Sequence, residues 1–324
     1  MTSLKNIRDT VMEKMSRIHY EFSKNSIPQS PLYHYTNFGG LKGILEGREL
    51  LFSDYRYLND TTEILIANDI IQKTIASFIA RSNKKSFFTI FGNIFSNYVR
   101  EERNSIFTFS FCEMPDYLPA WRWYGDNGGG YSIGFKPSYF HEDLSYPITN
   151  CVVSIKVNYS PDEYSLLIEK FLLAAEDAYN NLYLPCNIVE RDIDIDLGAI
   201  LASQLIPLMP GLKDGDYLHE KEHRLYELEF QRKDGLTYPR EILNTRKFFT
   251  ERKRKDISPF TSESQLKIPR LKSERFNHDD ICEIWVGPRC DFLRAKEEII
   301  KILQSSGYDI KNIQIIKSSR PYRG

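Results

Sequence analysis

The reading of the fold turns on Ser105-Ile-Phe-Thr-Phe-Ser-Phe-Cys112, where apolar side chains alternate with small polar ones. Period two is the signature of an extended chain, so this stretch is a strand. Downstream, the short aromatic run Tyr131-Ser-Ile-Gly-Phe135 and the β-branched residues of 151–159 continue the same habit. Further strands are expected at about 224–230, 265–271, 282–286 and 313–317, with a helix over 292–304 closed by Gly307. Upstream, the period lengthens. Phe91, Ile94, Phe95 and Val99 recur at helical spacing over 87–103, and a second helix over 62–79 follows the cap signal Asn59-Asp60. Residues 50–53 are strand-like, and residues 38–46 form a short helix closed by Gly47.

At the start of the chain, Ile7, Val11, Met15, Ile18 and Phe22 fall on one stripe of a helix over 4–24. Leu166, Leu167, Phe171, Leu172 and Ala175 predict a helix over 162–182, and residues 197–208 another. Together these patterns predict an α+β protein. It would have a central mixed or antiparallel sheet with flanking helices, an N-terminal amphipathic helix in residues 1–30, and a single domain over 31–324 with a helical insertion at about 162–215.

The 324 residues are 41% hydrophobic, enough for a sizeable core. The five cysteines are odd in number and widely spaced, with no C-x-x-C pair, which points to a reducing cytoplasm. No secretory leader is expected from the charged first residues, and no uncharged apolar run has the length of a membrane span. The net charge of −1 conceals a polarity. Nine acids stand against Lys170 and Arg191 between residues 162 and 196, while 232–275 holds thirteen Lys or Arg against six Asp or Glu. The tract Arg252-Lys-Arg-Lys255, with Arg246 and Lys247 before it, could bind nucleic acid or an acidic partner, so a non-enzymatic binding module built on 246–255 is one reading.

Four groups of residues are similar to the bacterial domain-of-unknown-function family 2971. They are Leu32-Tyr33-His34-Tyr35-Thr36 with the later Leu58-Asn59-Asp60; Phe109-Ser110 followed by Trp121-Arg-Trp-Tyr124 and Gly130-Tyr-Ser-Ile-Gly134-Phe135; Glu220-Lys-Glu222-His-Arg224; and Ile284-Trp-Val-Gly-Pro288 with Ser319-Arg-Pro-Tyr-Arg323. The aromatic residue usual between the second Glu and the Arg is His223 here. An aromatic-His-aromatic-Thr strand followed by a helix, with E-x-E near a late strand, also resembles ADP-ribosyltransferases. That resemblance implies NAD as substrate and an unknown macromolecular acceptor. It makes His34 the ribose-holding residue, with Tyr35, Thr36, Ser110, Tyr131 and Arg224 as further cofactor-binding residues, and it makes Glu222, with Glu220, the catalytic carboxylates. Tyr57, Ser110, Tyr124 and Tyr131 compete for the middle position.

Positive charge builds on the ribose as the nicotinamide bond breaks, and a carboxylate poised there stabilises that state more than the ground state. A regular strand over 220–224 would put Glu220, Glu222 and Arg224 on one face, with Arg224 keeping the acids ionised. His34 and Glu222 are then expected in one cleft on neighbouring strands. Each segment also has a packing reading: a core histidine at 34, a surface ion-pair ladder at 220–224, core aromatics at Trp121, Trp123 and Tyr124.

His219-Glu-Lys-Glu-His223 is a literal H-E-x-x-H, which on a helix would suggest a zinc peptidase. On a strand its histidines would stand about 13 Å apart, too far to share an ion, so no metal site is expected.

Overall fold

The computed structural model describes residues 4–55, 63–100, 105–140, 152–186, 188–229 and 271–322. Expectations for Tyr57, Leu58-Asn59-Asp60, Cys151, the basic tract 246–255 and most of the strand at 265–271 fall outside them. The protein is α+β, with a mixed sheet of nine described strands. These are β1 (Leu32–Thr36), β2 (Glu49–Asp54), β3 (Ser105–Cys112), β4 (Tyr131–Phe135), β5 (Val153–Lys156), β6 (Glu222–Glu229), β7 (Leu271–Arg275), β8 (Ile281–Val286) and β9 (Gln314–Lys317). The main path runs β5-β6-β3-β1-β4-β8-β9, while β2 joins β3 to β7. All pairs are antiparallel except β8 with β9.

Alternation in β3 sorts its side chains between two cores. Phe107, Phe109 and Phe111 enter a core with α2 (Phe38–Gly47) and α8 (Phe292–Ser305). Ile106, on the opposite face, joins a larger helical core. That core is built from α1 (Leu4–Ser23), α3 (Glu63–Arg81), α4 (Lys85–Arg100), α6 (Pro161–Ala178) and α7 (Glu190–Leu205). The N-terminal helix and the helices of 162–215 thus share one core, because the stripe Ile7, Val11, Met15 is fully covered by it. Residues Glu190–Gly211 have the length and hydropathy of a membrane span, yet 72% of the span's apolar window is buried inside the protein.

The short helix α5 (Leu118–Trp123) is absent from the pattern of the sequence, since six residues carry too few turns to show a period. Asp116 anchors it. Its carboxylate accepts from Trp121 Nε1 at 2.7 Å and, at the far end of the chain, from Ser318 Oγ at 2.6 Å and the Ser319 amide at 2.9 Å.

Candidate functional site

One edge of β3 is paired with β6 along its whole length, from Ser105 opposite Glu229 to Cys112 opposite Glu222. The other edge is divided. β1 meets it at Tyr33 opposite Cys112, and β2 meets it at Ser53 and Asp54 opposite Thr108 and Phe107. The sheet therefore forks beside residues 109–111. Ser110 lies at the fork and is the one exposed residue between Ile106 and Cys112. Two residues along the same face, Thr108 Oγ1 is buried with no hydrogen-bond partner among the described residues.

A backbone carbonyl that leaves its ladder needs another donor. His34 supplies it: Nδ1 donates to the Ser110 carbonyl at 3.0 Å, and the ring lies on Phe109 with centroids 4.2 Å apart. With the proton on Nδ1, Nε2 is an acceptor. Burial pushes the imidazole down to about 4, against the opposing pull of the Ser110 bond, so the ring is neutral at pH 7.

Glu222 opens β6 on the other side of β3. Burial pushes its carboxyl up, but the charge and hydrogen bonds of Arg224, the charge of Lys213 and a bond from the Ser110 hydroxyl outweigh this and hold it at about 2. Arg224 grips both oxygens, Nε to Oε1 at 2.6 Å and Nη2 to Oε2 at 2.7 Å, and its Nη1 donates to the Pro210 carbonyl at 3.2 Å. This fork-on-fork geometry fixes the carboxylate plane. The Glu222 amide donates to Tyr159 Oη at 2.9 Å. Lys213 Nζ reaches Glu222 Oε2 at 3.3 Å and Glu220 Oε2 at 2.5 Å, and Tyr124 Oη donates to Glu220 Oε1 at 2.8 Å.

The expectation that His34 and Glu222 face one cleft on neighbouring strands is corrected. β3 stands between their strands, and Tyr33, Cys112 and Glu222 form one cross-strand row, so the next residue, His34, is on the opposite face. Ser110 nevertheless links the two, through its carbonyl to His34 and its hydroxyl to Glu222.

The regular strand over 220–224 is also corrected. Lys221 is left-handed at φ 46, which ends a 3-10 helix at Glu220 and starts β6 at Glu222. Glu220 joins Glu222 through Lys213 instead of through the pleat. The same break separates the histidines of H-E-x-x-H. His219 bonds the Asp216 carbonyl in the 3-10 turn, while His223, buried in β6, lies 2.6 Å from Ser154 Oγ.

The remaining candidates divide by face. Tyr35 is buried on the Glu222 side, where its hydroxyl donates to the Met114 carbonyl and accepts from the Tyr117 amide, a packing role for the loop before α5. Thr36 and Tyr131 are cross-strand neighbours on the His34 side, Thr36 half-buried and Tyr131 buried. Tyr124 is half exposed and tied to Glu220. Lys213 and Tyr159 belong to the cluster without any signal in the sequence, because both come from loops beside the helical segment and meet Glu222 only in the folded chain.

Residues 120–225 match the family model described as a protein of unknown function (DUF2971). The match takes in Trp121–Tyr124, the Gly130–Phe135 strand and Glu220–Arg224, and it stops short of β1 and of the C-terminal strands. No curated protein and no solved structure matches the chain.

Proposed function

We propose that the fork beside Ser110 is the active site of an ADP-ribosyltransferase-like enzyme that takes NAD as substrate and modifies a macromolecular acceptor in the cytoplasm. The observation that carries this reading is the junction at Ser110, where groups from β1, β3 and β6 meet at the one exposed position in the middle of an otherwise buried strand. Among the described candidates, Ser110 best fits the middle position of the site, since Tyr124 is engaged with Glu220 and Tyr131 is buried on the far face.

In this reading His34, on the opposite face from Glu222, holds the Ser110 carbonyl through Nδ1 and so positions the residue at the fork, a role that suits a neutral imidazole. Glu222 stays ionised under Arg224 and Lys213 and stabilises the positive charge that builds on the ribose as the bond to nicotinamide breaks. Nicotinamide departs with the bonding electron pair, the acceptor's nucleophile bonds to the same ribose carbon, and Glu220 takes the acceptor's proton. The test is nicotinamide release from NAD by the purified protein, with and without cell extract to supply an acceptor. Glu222→Gln should lower turnover steeply in a variant that circular dichroism shows to be folded, while Lys221→Gln should leave it unchanged. Equal rates for all three proteins would overturn the reading.

A further inference from the structure

We infer that Lys213 is the positioning residue that makes a single site of two carboxylates which the backbone has separated. Because Lys221 is left-handed, Glu220 ends a 3-10 helix and Glu222 begins a strand, and no pleat aligns them. Only a side chain from elsewhere can bring them together. Lys213 does so from a fixed base: Leu212 forms a parallel bridge with Asn158, and the Lys213 amide donates to the Asn158 carbonyl at 3.0 Å. Its ammonium is aimed inward, 5% exposed as a residue, over the Tyr217 ring at 4.6 Å and against one oxygen of each acid.

The charged and titratable groups facing Lys213 are Glu220, Glu222, Arg224, Tyr124, Tyr159 and Tyr217. Arg224 is committed to Glu222, and Tyr124 brings no positive charge, so Lys213 is the cation that Glu220 shares with its neighbour. Two carboxylates deprived of a common cation repel each other, and one of them takes up a proton nearer neutrality. The inference concerns the same site as the proposed transferase, but it does not require NAD.

The test is carboxyl NMR on the full chain labelled with 13C at the glutamate side-chain carboxyl, with Glu220→Gln and Glu222→Gln used to assign the signals. In Lys213→Met, one carboxyl of the pair should titrate about one pH unit or more above its wild-type midpoint. Lys213→Arg, which keeps the cation, should restore it. A lysine that only filled space would lower the melting temperature of Lys213→Met and leave both midpoints where they were, and that result would overturn the inference. Should Lys213→Met unfold, a cycle with Glu220→Gln decides. The double variant should regain part of the lost stability because the uncompensated acid is gone, whereas additive losses would count against the assignment. Neither readout involves nicotinamide, so a failure here is distinguishable from failure of the transferase reading.

Discussion

The imidazole of His34 and the carbonyl of Ser110 are joined by a 3.0 Å hydrogen bond at the fork where β1 and β2 meet β3 at separate positions. That bond fixes the tautomer, and burial, which outweighs the upward pull of the bond, should keep the ring neutral well below the usual histidine range. Its carbon-bound proton signals should show no inflection between about pH 5.5 and 8. A midpoint near 6.5 would contradict the assignment.

Acid should unfold the protein earlier than its net charge suggests. Burial pushes His19 and His34 down to about 4 and His223 to about 3, so the unfolded chain binds more protons than the folded one below pH 6.5. Stability is full above pH 6.5 and falls as pH drops towards 4. Glu222, held at about 2, adds a further loss below pH 4.5. Urea titrations at pH 7.5, 5.5 and 4.5 should give steadily lower midpoints, and a flat profile would show that these groups are not linked to folding.

Arg224→Met should cost about 3–5 kcal/mol, because it leaves the Glu222 carboxylate buried without its bidentate partner. Chemical denaturation measures this directly. A loss below about 1 kcal/mol would mean that water or another cation replaces the guanidinium.

Two glycines should respond with opposite signs. A Cβ at Gly130 would stand inside the Thr36 carbonyl oxygen and within 2.8 Å of the Gly125 backbone, so Gly130→Ala should destabilise by about 1–3 kcal/mol and disturb the end of β1. Gly43, inside α2, has nothing within 4 Å of an added methyl, and Gly43→Ala should stabilise by about 0.5–1 kcal/mol. Melting temperatures of the two variants check both signs.

Much of this architecture was legible because its elements are periodic over two or more turns or pleats. The helix at 4–24 is Leu4–Ser23, the strand at 105–112 has the same bounds, and the helix at 292–304 ends one residue later at Ser305. The illegible parts are those set by single residues or by distant chain. Nothing in Glu220-Lys-Glu222 reveals that Lys221 turns left-handed, and the period-two pattern that correctly marks β6 runs straight through the break. Which face His34 occupies depends on the register of Tyr33 with Cys112 in β3, a relation between distant residues that no local pattern encodes. Ser110 was one of several candidates for the site. Its importance rests on the fork, and the fork exists because β1 and β2 divide one edge of a strand.

The central claim is that Ser110 marks an NAD site, and nicotinamide release by Ser110→Ala tests it most directly. Arg224 and Lys213 still hold Glu222 when the Ser110 hydroxyl is removed, so the variant should fold, with a melting temperature modestly below that of the wild-type protein. Removing the hydroxyl beside Glu222 should nevertheless lower release by about 10²-fold, the scale of losing one well-placed polar partner in a reacting site. Wild type that releases nicotinamide no faster than NAD does alone, with or without cell extract, or a Ser110→Ala variant that matches an active wild type, would contradict the account.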